Sequence, residues 1–118
     1  MNRWNIPAWL EQEVILRDEK CVCCGAEFTN SGNGGKKKAS WEHIVNDERI
    51  ITRENIARCC MSCNASKGAK LLHEWLMSNY CKSLNINAET VAPVVRDAIR
   101  KSPIWVEPSV QSQSDEVL

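Results

Sequence analysis

Residues 40–68 read SWEHIVNDERIITRENIARCCMSCNASKG, and this stretch decides the fold. Its opening alternates polar and apolar side chains, with Trp41, His43 and Val45 in one set and Glu42 and Ile44 in the other. A period of two predicts a strand over residues 40–46. A second short strand is expected over residues 55–59, reached through a turn in which Thr52 can cap. After Cys63 the apolar residues Leu71, Leu72, Trp75 and Leu76 recur at i, i+1, i+4 and i+5, which predicts a helix over residues 64–80, bent near Gly68.

Upstream of the first strand lies Cys21-x-x-Cys24, and the second strand runs into Cys60-x-x-Cys63. Each is a knuckle spacing able to wrap one face of a tetrahedral Zn²⁺. Four thiolates leave no open coordination position, so the site is structural. In small peptides such sites supply about 10–16 kcal/mol, enough to decide whether a fold of this size exists. The neighbouring Cys23 and Cys59 stand one position off and are able to substitute, but the x-x spacing favours Cys21, Cys24, Cys60 and Cys63. The isolated Cys81 is expected to be inert.

Further out, Pro7 followed by Ala8, Trp9, Leu10, Val14, Ile15 and Leu16 predicts a helix over residues 7–18. Residues 29–39 are rich in Gly, Asn and Lys and are expected to form a loop. Val91, Val94, Val95, Ala98 and Ile99 repeat at helical spacing, so a last helix is expected within residues 90–101. Thr90 is its best N-cap, because it leaves Pro93 in the first turn, where no backbone donor is lost. Residues 102–118 are dominated by Pro, Ser and Gln and are expected to be disordered.

The chain has 118 residues, enough for one domain, expected over residues 1–101 with a core at about 6–80. Seven cysteines is an odd count, and the first ten residues contain charge and Pro7 rather than an apolar leader. A reducing, cytoplasmic setting is expected, in which clustered cysteines bind metal more often than they pair. No apolar run approaches a membrane span. Formal net charge is zero, but from Lys36 to Lys70 there are eight basic residues against four acidic ones, a local excess of four. That is the footprint expected beside a nucleic acid, or simply a solvated face.

The run C-x-x-C-G, then W-E-H-I-V, then E-N-I-A-R-C-C-M-S-C-N-A-S-K-G resembles the HNH, or ββα-metal, nuclease family over about residues 6–76. The resemblance implies an α+β fold in which a β-hairpin and a helix clasp one catalytic metal, usually Mg²⁺ or Mn²⁺. His43 matches the general base that takes a proton from the attacking water. Glu42 matches the acidic metal ligand, where the family more often has Asp. Asn64 matches the second ligand, where many members have His. Asn55 matches the middle residue that holds the histidine by hydrogen bonding, although a turn asparagine is its plain reading. Cleavage of double-stranded DNA to 5′-phosphate and 3′-hydroxyl ends is implied.

The chemistry needs such a set, since phosphodiester hydrolysis requires an activated water and compensation for charge on the phosphate. Lys67 lies one helical turn after Asn64, so both project from one face and Lys67 can reach a phosphate, as can Arg58; a solvated lysine is the alternative. Two rival functions remain. A zinc-stabilised module that binds nucleic acid or protein without cutting explains the cysteines but leaves Glu42, His43, Asn55 and Asn64 as coincidence. A thiol-exchange protein requires reactive rather than metal-bound cysteines. Dimerisation through the 91–99 helix is a route to double-strand cutting.

Overall fold

A computed structural model describes residues 4–29 and 35–101. The first helix, α1 (Ala8–Arg17), starts after Pro7, whose carbonyl accepts from the amides of Leu10 and Glu11. Glu11 in its first turn and Arg17 in its last complement the helix dipole. Leu10 and Val14, one turn apart, are its buried face. Arg17 then ties the helix end to the sheet, pairing with Asp18 and donating to the carbonyl of Ile56 at 2.8 Å.

Strands β1 (Ala39–His43) and β2 (Ile56–Cys60) pair antiparallel, with Ala39 opposite Cys60, Trp41 opposite Arg58 and His43 opposite Ile56. The first is shorter than the alternation predicts, because the Asn55 side chain captures both the amide and the carbonyl of Val45 and turns the chain away after His43. The loop returns through a turn in which the Thr52 carbonyl accepts from Asn55 and Ile56. Neighbouring residues of β2 serve opposite layers. Ile56 packs with Ile6, Leu10 and Val14 against α1, while Ala57 and Cys59 join the larger cluster built on Trp75, Leu72, Ile86 and Val95.

Helix α2 (Met61–Lys67) follows β2 directly, with Cys60 as N-cap and its sulfur accepting from the Cys63 amide. It stops at Gly68, whose φ of 49° and ψ of −129° an L side chain rarely adopts. The single bent helix expected over residues 64–80 is therefore replaced by three short ones, α2, α3 (Leu72–Leu76) and α4 (Asn79–Leu84). Leu71 is extended at the start of α3, and the Ser78 hydroxyl caps α4 by accepting from Cys81. Trp75 is fully buried, with its indole N–H donating to Ser66 across the break.

The last helix, α5 (Pro93–Lys101), begins with its proline in the first helical position, where the missing donor costs nothing. Thr90 is not its cap. The Thr90 hydroxyl is spent on the preceding turn, accepting from the Asn87 amide and bonding the Asn85 carbonyl, and the Ala92 amide donates to Val22. The 91–99 stretch, read as a route to dimerisation, packs on the chain's own core through Val91 and Val95, with Val94, Ala98 and Ile99 half-buried against it. The architecture is a small α+β fold with five helices and one two-stranded sheet among the described residues. No helix among them is long and apolar enough to cross a membrane. The reading of residues 102–118 as a tail lies outside the described residues, and in the 29–39 loop residues 35–37 form a short 3-10 turn.

Candidate functional site

The two knuckles arise from different local structure and converge. The first is a loop closed by an isolated bridge between Lys20 and Glu27, tightened by the Gly25 amide donating to the Cys21 carbonyl, with Gly25 at a φ of 77°. The second is the junction of β2 with α2. Val22 donates to the Arg58 carbonyl, which sets the first knuckle on β2 beside the second. Ligand atoms of Cys21, Cys24, Cys60 and Cys63 all lie within 4.8 Å of one another, close enough to hold a metal ion. The sulfurs of Cys24 and Cys60 are 3.8 Å apart. Zinc–sulfur bonds of about 2.3 Å in a tetrahedron place sulfurs about 3.8 Å apart, so the cage is consistent with structural zinc.

Outer contacts support those sulfurs. The amides of Cys24 and Cys63 donate to Cys21 and Cys60, and the Tyr80 hydroxyl donates to the Cys63 sulfur at 3.3 Å. Hydrogen bonds from Cys23 and Cys63 hold the Cys21 thiol far below its ordinary range, whereas the bond with Cys21 pushes Cys63 up and burial pushes Cys24 up. Like charges this close do not all ionise alone; a divalent cation lets four thiolates coexist. Cys23, Cys59 and Cys81 are buried outside the four-sulfur set, and burial raises the thiols of Cys59 and Cys81.

An open cleft of about 640 Å³ brings Glu42, His43 and Asn64 together, flanked by Trp4, Trp41 and the loop residues Asp47, Glu48 and Arg49. His43 ends β1 and is 7% exposed, its ring edge-on to Trp4 at 5.2 Å. Its Nε2 is buried with no hydrogen-bond partner among the described residues. Burial holds the imidazole below its ordinary pKa of 6.5, with Lys67 acting the same way and Glu48 and Asp47 opposing. The ring is therefore neutral at neutral pH and can accept a proton.

Asn64 donates through its amide nitrogen to the Ser40 hydroxyl at 2.9 Å and the Trp41 carbonyl at 3.2 Å. Because the Trp41 carbonyl can only accept, the amide nitrogen must face it, and the amide oxygen remains as a hard donor. Burial pushes the Glu42 carboxyl up and Lys67 offsets this. One carboxylate and one amide oxygen in a polar cleft suit a hard divalent cation that keeps several waters.

Asn55 lies behind the cleft. It is 4% exposed, and its bonds run to the backbone of Val45 and Ile50 rather than to the His43 ring. It fixes the turn that follows His43. Arg58 is not brought to the cleft: its guanidinium lies over the Phe28 ring, 5.0 Å from the centroid. Lys67, expected to reach a phosphate, is 3% exposed; its ammonium is 2.7 Å from Glu42 Oε2 and donates to the His43 carbonyl at 3.4 Å. The basic excess of residues 36–70 is likewise partly spent, with Arg49 paired to Asp47 and Arg53 to Glu13.

Sequence reasoning missed the Glu42–Lys67 pair, the acidic wall of Asp47 and Glu48, and the Tyr80 hydroxyl on the cage. Helical spacing did put Lys67 on the face of Asn64; its burial had no local signal. Comparison of this chain with protein-family models, with curated proteins and with solved structures finds no match.

Proposed function

We propose that this chain is a metal-dependent endonuclease of the ββα-metal type that hydrolyses phosphodiester bonds in DNA, with structural zinc in the four-cysteine cage. The observation that carries this reading is the buried Nε2 of His43, neutral and without a partner, in one cleft with the oxygen donors of Glu42 and Asn64. His43 accepts the proton of a water attacking phosphorus, and Asn55 keeps that ring in place by fixing the turn behind it. Glu42 and Asn64 would hold a Mg²⁺ or Mn²⁺ ion, which supplies charge stabilisation to the phosphate and the leaving oxygen.

One observation favours a second reading, a zinc-stabilised binding module. The cleft wall carries Asp47 and Glu48, with Arg49 beside them paired to Asp47, while Lys67 is spent on Glu42 inside the centre and Arg58 lies over Phe28, so free phosphate anchors near His43 are few. Exposed Arg49 on the cleft wall and exposed Lys36, Lys38 and Lys70 are candidates for nucleic-acid contact. Plasmid nicking with Mg²⁺ or Mn²⁺ separates the two readings. Wild-type protein is expected to convert supercoiled DNA to open or linear forms, and His43→Ala to bind DNA without cutting it. Equal cutting by both proteins, with contaminating nuclease excluded, sinks the nuclease reading.

A further inference from the structure

A lysine ammonium is rarely taken out of water, and Lys67 is the described cation buried most deeply, at 3% side-chain exposure. It has two partners, and both belong to the candidate centre. One is Oε2 of Glu42 at 2.7 Å and the other is the backbone carbonyl of His43 at 3.4 Å. Removing charge from water is costly, and an ion pair this buried is worth keeping only where its geometry does something apolar residues do not. What it does here is place one positive charge on the very carboxylate that a divalent ion would use, and join that carboxylate to the backbone of the neighbouring base. Lys67 is supplied by the last turn of α2, one turn beyond Asn64, and Gly68 ends the helix immediately after it.

We propose that Lys67 is the resident counter-ion of the cleft, a positioning residue that aims the Glu42 side chain without a divalent cation and weakens the hold of Glu42 on that cation. The inference rests on the metal-centre reading above. Glu42 has two oxygens, and Lys67 takes one, leaving the other to the cation. With the lysine charge at hydrogen-bond distance, the donor set of Glu42 and Asn64 is close to neutral overall. Divalent ions then bind weakly unless a phosphate adds negative charge, so tight binding is deferred until the substrate arrives. A merely structural lysine would stabilise the fold but leave cation affinity unchanged.

The test is a Mn²⁺ titration of the full chain with its cysteine-bound metal retained, in metal-depleted buffer without chelator, read by isothermal calorimetry and by thermal melting. Lys67→Met and Lys67→Gln are compared with Lys67→Arg and with the Glu42→Gln/Lys67→Met double variant. Lys67→Gln keeps a hydrogen-bond donor without charge, so the affinity comparison survives even where the methionine variant does not fold. Half-saturation is expected at least about tenfold lower in Mn²⁺ for Lys67→Gln than for wild type, because a like charge beside the cation has been removed. Its melt is expected to rise with Mn²⁺ more than the wild-type melt does. Lys67→Arg should titrate like wild type, and the double variant should lose the Mn²⁺ response. Equal Mn²⁺ affinity in wild type and Lys67→Gln, or no Mn²⁺ binding by either, overturns the inference. DNA cleavage absent from every protein while these shifts persist refutes the nuclease reading and leaves the role of Lys67 standing.

Discussion

Cys60→Ser is the sharpest perturbation of the cage, because the structure lets its effects be separated. Cys60 is fully buried, its sulfur lies 3.8 Å from that of Cys24, and the same sulfur caps α2 by accepting from the Cys63 amide. Serine is a good N-cap, so the capping contact, worth about 1 kcal/mol, is kept in kind. What is lost is one of four metal ligands. If binding supplies about 10–16 kcal/mol, an equal quarter share is about 2.5–4 kcal/mol. Whole domains are stable by only about 5–15 kcal/mol. For a domain of this size each kcal/mol moves the melting temperature by about 4–8 °C, so a fall of roughly 10–32 °C is expected. Cys59→Ser is the control: Cys59 is equally buried, its sulfur contacts Ser40, and it lies outside the four-sulfur set. Elemental analysis for zinc after mild chelator challenge and thermal melting should show weakened metal retention and a melt lowered by that amount for Cys60→Ser, against full metal and a small shift for Cys59→Ser. Retained zinc with a wild-type melt in Cys60→Ser would refute the reasoning.

Three more outcomes follow from the cleft and its supports. Since burial holds His43 below 6.5, cleavage should stay on through neutral pH and its acid limb should fall below pH 6.5, while His43→Ala should lose about 10²–10⁴-fold in rate in a plasmid assay. The sign for stability is the same: a depressed histidine pKa means that the unfolded chain takes up protons first, so stability is present above 6.5 and lost as pH falls below it. Glu42→Ala should destabilise by about 3–5 kcal/mol in denaturant unfolding, because it strands the buried Lys67 charge, whereas Glu42→Ala/Lys67→Met should recover much of that. Gly68→Ala should cost about 1–3 kcal/mol from backbone strain alone, since an added Cβ meets only the Ala65 carbonyl at 3.8 Å; a neutral substitution would mean that α2 need not end there.

The parts of this molecule legible in sequence are those whose signal is local. Two x-x spacings pick out the four sulfurs, and alternation around His43 gives a strand to within three residues. Helical periodicity was less trustworthy after Cys63. Leu71, Leu72, Trp75 and Leu76 look like one stripe, yet Leu71 is 65% exposed and only Leu72 and Trp75 are buried. The breaks that divide the segment come from the Gly68 backbone and the Ser78 cap, which a sum over apolar positions does not register. Thr90 has the chemistry of a cap, but a competing turn at residues 85–90 takes its hydroxyl. Charge counting failed for a related reason. A lysine's partner depends on what the fold sets opposite it, and Lys67 and Glu42 are 25 residues apart in the chain.

The cage and the cleft are not independent sites. Helix α2 has seven residues; Cys63 lies in its first turn, Asn64 follows directly, and Lys67 ends it. Residues one and four apart in a helix are fixed relative to each other by its geometry, so whatever holds Cys63 also orients Asn64 and Lys67. An isolated helix this short is unstable in water. Its persistence rests on Cys60 and Cys63 at one end, on Asn64 bonding β1 in the middle, and on the Glu42 pair at the other. A metal bound between the knuckles would thus fix the first turn, and the hairpin fixes the rest. Loss of the cage should therefore disorder the cleft before it unfolds α1, whose Leu10 and Val14 pack in a separate cluster with Ile6 and Ile56. Hydrogen exchange on the stripped protein should show protection lost first at residues 61–67 and retained at residues 10–17. Simultaneous loss in both would mean that the two clusters form one cooperative unit.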